Sequence, residues 1–247
     1  MQKQFILFNL DDTLIHCNKY FSQVINQFTN QMGKWFPDVP LEEFRKKQLE
    51  IDLAAIDRHG LSSERFPESF VHTYLHFVNE TGKKKHEEEI EGLRMLGKSV
   101  FEMEVEALPC MHETLEQLKN EGHELYIHTG GDEENQRRKI IQLELAEYFE
   151  NRVFVSNHKD DEALQKILKK MKFDRDRTWM IGNSLRTDIV PGLIHGINVI
   201  YIPAQVEWEY NKIDFSKMDI QPKGAFLKLE SLCHVPEAIQ KEIYQVT

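Results

Sequence analysis

Asn9, Asp11 and Thr13 occupy alternate positions in "FNLDDT", directly after an apolar run. A carboxylate and a hydroxyl delivered by the end of a buried strand suit proton transfer and the gripping of an anion. Three further groups follow in order. Thr129 with Gly130 and Gly131 closes "LYIHTGG". Lys159 comes shortly after "RVFVSNH". Asn183, Ser184 and Asp188 come after "TWMIG". Each alone has an ordinary explanation, since Asp and Thr cap helices, Gly-Gly makes turns and Lys is usually solvated. Four such groups, each just beyond an apolar run, are harder to obtain by accident. Together they would bring hydroxyl, ammonium and carboxylate to one rim.

The apolar runs themselves read as strands: 5–10, 124–129, 152–156, 178–182 and 198–203. Most are continuous rather than alternating, as expected for strands buried on both faces of a parallel sheet. Helical patterns lie between the later ones, at 111–122, 134–149, 161–171 and 188–197. Strand and helix in alternation predict an α/β fold, a doubly wound parallel-sheet Rossmann-like core. In such sheets ligands bind beyond the carboxyl ends of the strands. Residues 16–104 break the alternation with several helical patterns and no convincing strand. They are expected to form an inserted helical cap, leaving 1–15 and 105–247 as the core. Tyr20, Phe21, Phe28, Trp35 and Phe36 read as packing within this insert, and the charge run "KKKHEEEIEGLR" (83–94) as a solvated helix face.

Composition narrows the partners. The chain has 247 residues and a formal net charge of -10. That speaks against a polynucleotide binder, which needs clustered Lys and Arg, but not against a small anion in a locally positive pocket. No run is long enough for a membrane span. Cys17, Cys110 and Cys233 cannot all pair with one another, and reduced thiols in a cytoplasmic protein are the simplest expectation.

In these motifs and their order the chain resembles the haloacid dehalogenase-like hydrolase superfamily. The resemblance rests on "NLDDT" (9–13) for the family's Asp-x-Asp-x-Thr, Thr129 for the second motif, Lys159 for the third and "IGNSLRTD" (181–188) for the fourth. The insert lies where that family carries a cap after its first motif. The resemblance implies a Mg2+-dependent phosphatase acting on a small phosphorylated metabolite through an aspartyl-phosphate. The residue at position 9 would be the nucleophile and Asp11 the acid and base. Thr129, Gly130 and Lys159 would hold the phosphoryl oxygens. Asn9, the backbone carbonyl of Asp11, Asn183 and Asp188 would surround the metal. Asp11 favours phosphatase over dehalogenase, because dehalogenating members lack a second aspartate there.

Two positions depart from the family pattern. Asn183 stands where many members carry an aspartate; its carbonyl oxygen and the nearby Asp188 are expected to keep metal binding possible, while the pairing slightly raises the dehalogenase alternative. Asn9 matters more, because an amide has no charge and its oxygen is a poor nucleophile. The expected outcome is an assembled site that does not turn over. An introduced Asp→Asn exchange is favoured over a naturally non-catalytic homologue that binds a phospho-ligand or a partner. Among other conspicuous residues, His128 is expected to pack on the face opposite Thr129, and His158 and "VEWEYNK" (206–212) to lie in loops. Arg137 and Arg138 read as a solvated face, and Cys17 as a small apolar residue.

Overall fold

A computed structural model describes residues 2–214, 218 and 222–245. The chain divides into two compact units, Met1–Asn18 with Val105–Thr247, and Lys19–Glu104.

The first unit is built on a parallel sheet. Its described strands are β1 (Phe5–Phe8), β2 (Glu124–Gly130), β3 (Val153–Ser156), β4 (Thr178–Gly182), β5 (Asn198–Tyr201) and β6 (Phe226–Lys228), in the order β3-β2-β1-β4-β5-β6. All the pairings are parallel. The continuous apolar runs are explained by burial on both faces. Ile6, Phe8, Leu125, Ile127, Trp179 and Ile181 belong to one core. Leu7, Tyr126, Met180 and Val199 alternate with them and face a second. The first core is closed by α5 (Met111–Asn120), α6 (Glu133–Gln142), α7 (Ala146–Phe149) and α10 (Val235–Gln245); the second by α8 (Asp161–Met171) and α9 (Val190–Ile194). The fold is thus doubly wound, with β1 and β4 side by side at the centre where the strand order reverses.

Three local details differ from the sequence expectations. β6 was not foreseen, because its strand is three residues long and lies at the sheet edge with two of them exposed. The helical pattern at 134–149 is two helices, broken where Glu144 adopts a left-handed conformation (φ 54°). The pattern at 188–197 begins earlier, as a wide turn over Leu185–Ile189 in which the Ile189 N–H reaches back to the Ser184 carbonyl. Wide turns of this kind are rare and are found frequently at functional sites.

The cysteine expectation is overturned. Cys110, just before α5, is joined by a disulfide to Cys233, just before α10, and Cys17 is the buried free thiol. The two partners are 123 positions apart in sequence, so no local spacing announces the bond; only the fold brings their Cα atoms within 5.3 Å.

The second unit is helical: α1 (Asn18–Trp35), α2 (Leu41–His59), α3 (Arg65–Thr81) and α4 (Glu87–Ser99). Phe28, Phe36, Phe44, Phe66, Phe70 and Tyr74 form its interior, with Tyr20, Phe21 and Trp35 packed against it. Gly97 lets α4 lie directly on Pro67 of α3, where a Cβ would collide. The charge run is only in part a solvated face. Lys83 pairs with Glu89 at 2.9 Å and lies over the rings of Trp35, Phe36 and Tyr74. Among the described residues no helix is long and apolar enough to cross a membrane.

Candidate active site

The rim is assembled at the carboxyl ends of β1, β2, β3 and β4. β1 ends at Phe8, and the Asn9 N–H continues the ladder to the Ile181 carbonyl at 2.8 Å, so the Asn9 side chain emerges beside β4. The chain then turns tightly. The Leu10 carbonyl accepts from the N–H groups of Thr13, Leu14 and Ile15, and Asp12 takes a left-handed conformation (φ 54°). This turn separates two adjacent carboxylates. Asp11 faces the rim. Asp12 faces away and accepts from the backbone N–H of Cys17 (3.1 Å) and Asn18 (2.9 Å) at the start of α1. Burial pushes the Asp12 carboxyl up to about 7, against the Asn18 hydrogen bond.

Asn9 is buried and fully engaged. Its amide nitrogen donates to the Asp11 carbonyl (2.6 Å), Asn183 Oδ1 (2.8 Å) and Thr13 Oγ1 (3.1 Å). Its oxygen accepts from Lys159 Nζ at 2.8 Å. Lys159 can only donate and the Asp11 carbonyl can only accept, so the amide orientation is fixed by its neighbours. Thr13 Oγ1 also donates to Asn183 Oδ1 at 3.2 Å.

Lys159 and Asp188 form an ion pair deep in the rim, with side chains 3% and 0% exposed. The other oxygen of Asp188 accepts from the Ser184 N–H at 3.0 Å. Asp188 lies flat against Gly182, and any Cβ at 182 would occupy the carboxylate's space. Burial pulls the Lys159 ammonium below the usual lysine range, and Asp188 offsets this in part.

Asp11 meets two residues that sequence reasoning missed. Lys139 Nζ lies 2.7 and 3.0 Å from its two oxygens, and Gln136 Nε2 donates to it at 2.9 Å. Burial alone would raise the Asp11 carboxyl, but Lys139, aided by Gln136 and Cys17, outweighs it and holds the group below the usual carboxylate range. Lys139 is opposed by burial and raised by Asp11. Gln136 Nε2 also reaches Thr129 Oγ1 (2.8 Å) and the Gly130 carbonyl. A signal for both existed in the sequence. Gln136, Lys139 and Ile140 share one stripe of α6 at helical spacing and are all buried, whereas Arg137 beside them is exposed. From the sequence its two neighbours, Arg137 and Arg138, read as a solvated face, and Lys139 was not singled out.

The structure therefore brings Asn9, Asp11, Thr129, Lys159, Asn183 and Asp188 to one place. The Gly130 carbonyl joins through Gln136 rather than presenting a bare turn. His128 is completely buried on the strand face opposite Thr129. Its imidazole is held well below its usual value by burial and by Lys159. His158 is exposed in the loop before Lys159. Trp208 and Tyr210 stack at 4.9 Å, with Arg186 over the Tyr210 ring at 5.0 Å.

The oxygens that would face a divalent cation are already committed. The Asp11 carbonyl and Asn183 Oδ1 accept from the same nitrogen, and Asp188 is paired with Lys159. Among the described residues, no group of three or more His, Cys, Asp or Glu side chains is placed to hold a metal ion. The residues present do not fit Mg2+.

Comparison with known proteins agrees with this architecture. The chain matches the haloacid dehalogenase-like hydrolase family over residues 6–202. It is 29% identical over 219 residues to the pyrimidine 5'-nucleotidase PynA of Streptococcus pneumoniae, covering 83% of this chain and 86% of that one. A haloacid dehalogenase-like family hydrolase from Xanthomonas campestris has the same fold, with a TM-score of 0.81 at 21% identity over 98% of this chain and 93% of its own. A putative HAD-hydrolase from Bacillus subtilis, YfnB, solved bound to magnesium, gives a TM-score of 0.61 at 15% identity over 97% and 99%. The match to the family spans most of the core with all four motif positions inside it, and the chain belongs to the haloacid dehalogenase-like hydrolase family.

Proposed function

We propose that this chain binds a small phosphate monoester at the rim and does not hydrolyse it. The observation that carries this reading is the bonding of Asn9. The residue at the nucleophile position is a neutral amide whose nitrogen and oxygen are both spent on neighbours. It offers no lone pair of carboxylate strength to phosphorus. Asp11, at the acid–base position, is fixed as an anion by Lys139. An acid must carry its proton near the working pH to release it to a leaving group. Position 9 therefore lacks the family's nucleophile, and the Lys139 ammonium opposes proton uptake by Asp11, so both halves of the covalent route are weakened, by different residues.

That second change bears on the origin of the first. A single introduced Asp→Asn exchange in a working enzyme would leave the acid–base carboxylate free. Here Lys139 neutralises it independently, which supports a naturally non-catalytic member over an introduced variant. The same reading extends to the dehalogenase alternative, whose displacement also needs a carboxylate at position 9.

Binding is favoured by what remains. Lys159 and the Thr129 hydroxyl stand at the family's phosphate-holding positions. The amide at 9 removes one negative charge from where phosphoryl oxygens would lie. The likeness to a pyrimidine 5'-nucleotidase makes a pyrimidine nucleoside 5'-monophosphate the first ligand to test. Calorimetric titration with uridine 5'-monophosphate should show saturable binding, and a phosphate-release assay on the same samples should stay at background. No saturable heat up to several millimolar nucleotide, or steady release of phosphate, would sink the proposal.

A further inference from the structure

The positions that the family pattern assigns to a metal all lie at the rim, two of them as asparagine, yet each is bonded as though the cation were not required. The Asp11 carbonyl and Asn183 Oδ1 converge on one atom, Asn9 Nδ2, at 2.6 and 2.8 Å. An amide nitrogen carries partial positive charge and two hydrogens, so it can satisfy converging oxygens much as a small cation does. The difference lies in reach. Mg2+ demands oxygens at about 2.0–2.1 Å in near-octahedral array, whereas these are placed at hydrogen-bond distance. The oxygen of residue 9 faces Lys159 instead.

The charge balance leads the same way. The charged groups bonded to Asn9 or Asp11, or to their ion partners, are two carboxylates, Asp11 and Asp188, and two ammonium groups, Lys139 and Lys159. Asp12 is turned out of this set, its oxygens taken by the N–H groups of Cys17 and Asn18. The set is neutral as it stands. With an aspartate at 9 and no ammonium at 139, three carboxylates would face one ammonium. The deficit of two is the charge of one divalent cation. A buried group of like charges with that deficit would be costly until a cation filled it.

We propose that Asn9 and Lys139 together replace the divalent cation of this site, so that it takes up a phosphate group without metal. Asn9 does so by position, holding the oxygens a cation would hold. Lys139 does so by charge, neutralising the carboxylate that faces the ligand. The phosphate part rests on the binding reading above, while the metal part stands on the bonding pattern alone.

The test separates the two. Mn2+, whose free-ion spectrum is lost on binding, is titrated into the present chain, Asn9→Asp, Lys139→Met and the double variant. The present chain should leave the Mn2+ signal free through millimolar concentrations. The double variant should bind one Mn2+ at least tenfold more tightly than either single variant. Stoichiometric sub-millimolar Mn2+ binding by the present chain, abolished by Asp188→Asn, overturns the proposal whatever the variants do. In parallel, inorganic phosphate is titrated calorimetrically with EDTA and with Mg2+. Affinities within twofold of each other support metal-free uptake, and a tenfold gain with Mg2+ overturns it. If phosphate binds in neither buffer, the ligand reading and metal-free uptake both fail, and the Mn2+ titration still decides whether the cation has been replaced.

Discussion

Lys139 Nζ and the Asp11 carboxylate meet at 2.7 and 3.0 Å across 128 positions of sequence. Lys139 comes from the last turn of α6 and Asp11 from the turn after β1. The contact places a permanent cation on the group that the family pattern assigns to proton transfer, and it does so independently of what stands at position 9.

Restoring the nucleophile alone should therefore not restore turnover. Asn9→Asp is expected to remain near background with a generic phosphate ester and Mg2+, because Asp11 stays ionised. Adding Lys139→Met should raise the rate by about 10²-fold or more over Asn9→Asp, the usual worth of general acid–base assistance. Equal rates for the single and double variants would show that Lys139 does not hold Asp11 back.

The two ion pairs of the rim should differ in their structural weight. Lys159→Met leaves Asp188 fully buried without its cation, and should lower stability by about 3–5 kcal/mol in urea denaturation. Lys139→Met should cost less, about 1–2 kcal/mol, since the Asp11 side chain is 25% exposed and keeps Gln136. The order of the two losses is the checkable point.

Asp52 gives the helical unit a pH dependence. It is buried on α2, and burial alone pushes its carboxyl up to about 7. The folded state then holds a proton that the unfolded state releases near 4, so stability is fully present below about 4 and is lost as pH rises toward 7. The slope contributed is about 1.4 kcal/mol per pH unit across that window. Asp52→Asn should flatten it, so that the variant exceeds the present chain in stability at pH 7.5 but not at pH 4.5. Parallel curves for the two proteins between those pH values would contradict the assignment.

Thiol counting checks the disulfide. Denatured without reductant, the chain should show one reactive thiol, that of Cys17, and three after reduction. Closing a loop of this length restricts the unfolded chain, so reduction should lower stability by about 2–5 kcal/mol. Three thiols before reduction would remove the bond from the account.

The fold was legible where burial dictates sequence. Continuous apolar runs marked β1, β2, β4 and β5, which are largely buried on both faces, and the half-buried edge strand β3, while helical periodicity marked α1 to α4. β6 escaped because a three-residue edge strand with two exposed positions carries no apolar run. At the rim, Asn9, Asp11, Thr129, Lys159, Asn183 and Asp188 could be read because each follows a strand end at a motif position. Lys139 and Gln136 could not be read that way. They reach the rim from the side of a helix, and helical spacing tells which residues share a stripe but not what that stripe faces. The Cys110–Cys233 bond was hidden for a related reason: its partners are neighbours only once α5 and α10 have packed.

Phosphorus NMR of uridine 5'-monophosphate mixed with the present chain and Mg2+ follows binding and hydrolysis in one spectrum. The nucleotide resonance should broaden or shift in proportion to protein, with no orthophosphate signal appearing over hours. A growing orthophosphate resonance that scales with protein concentration would contradict binding without hydrolysis.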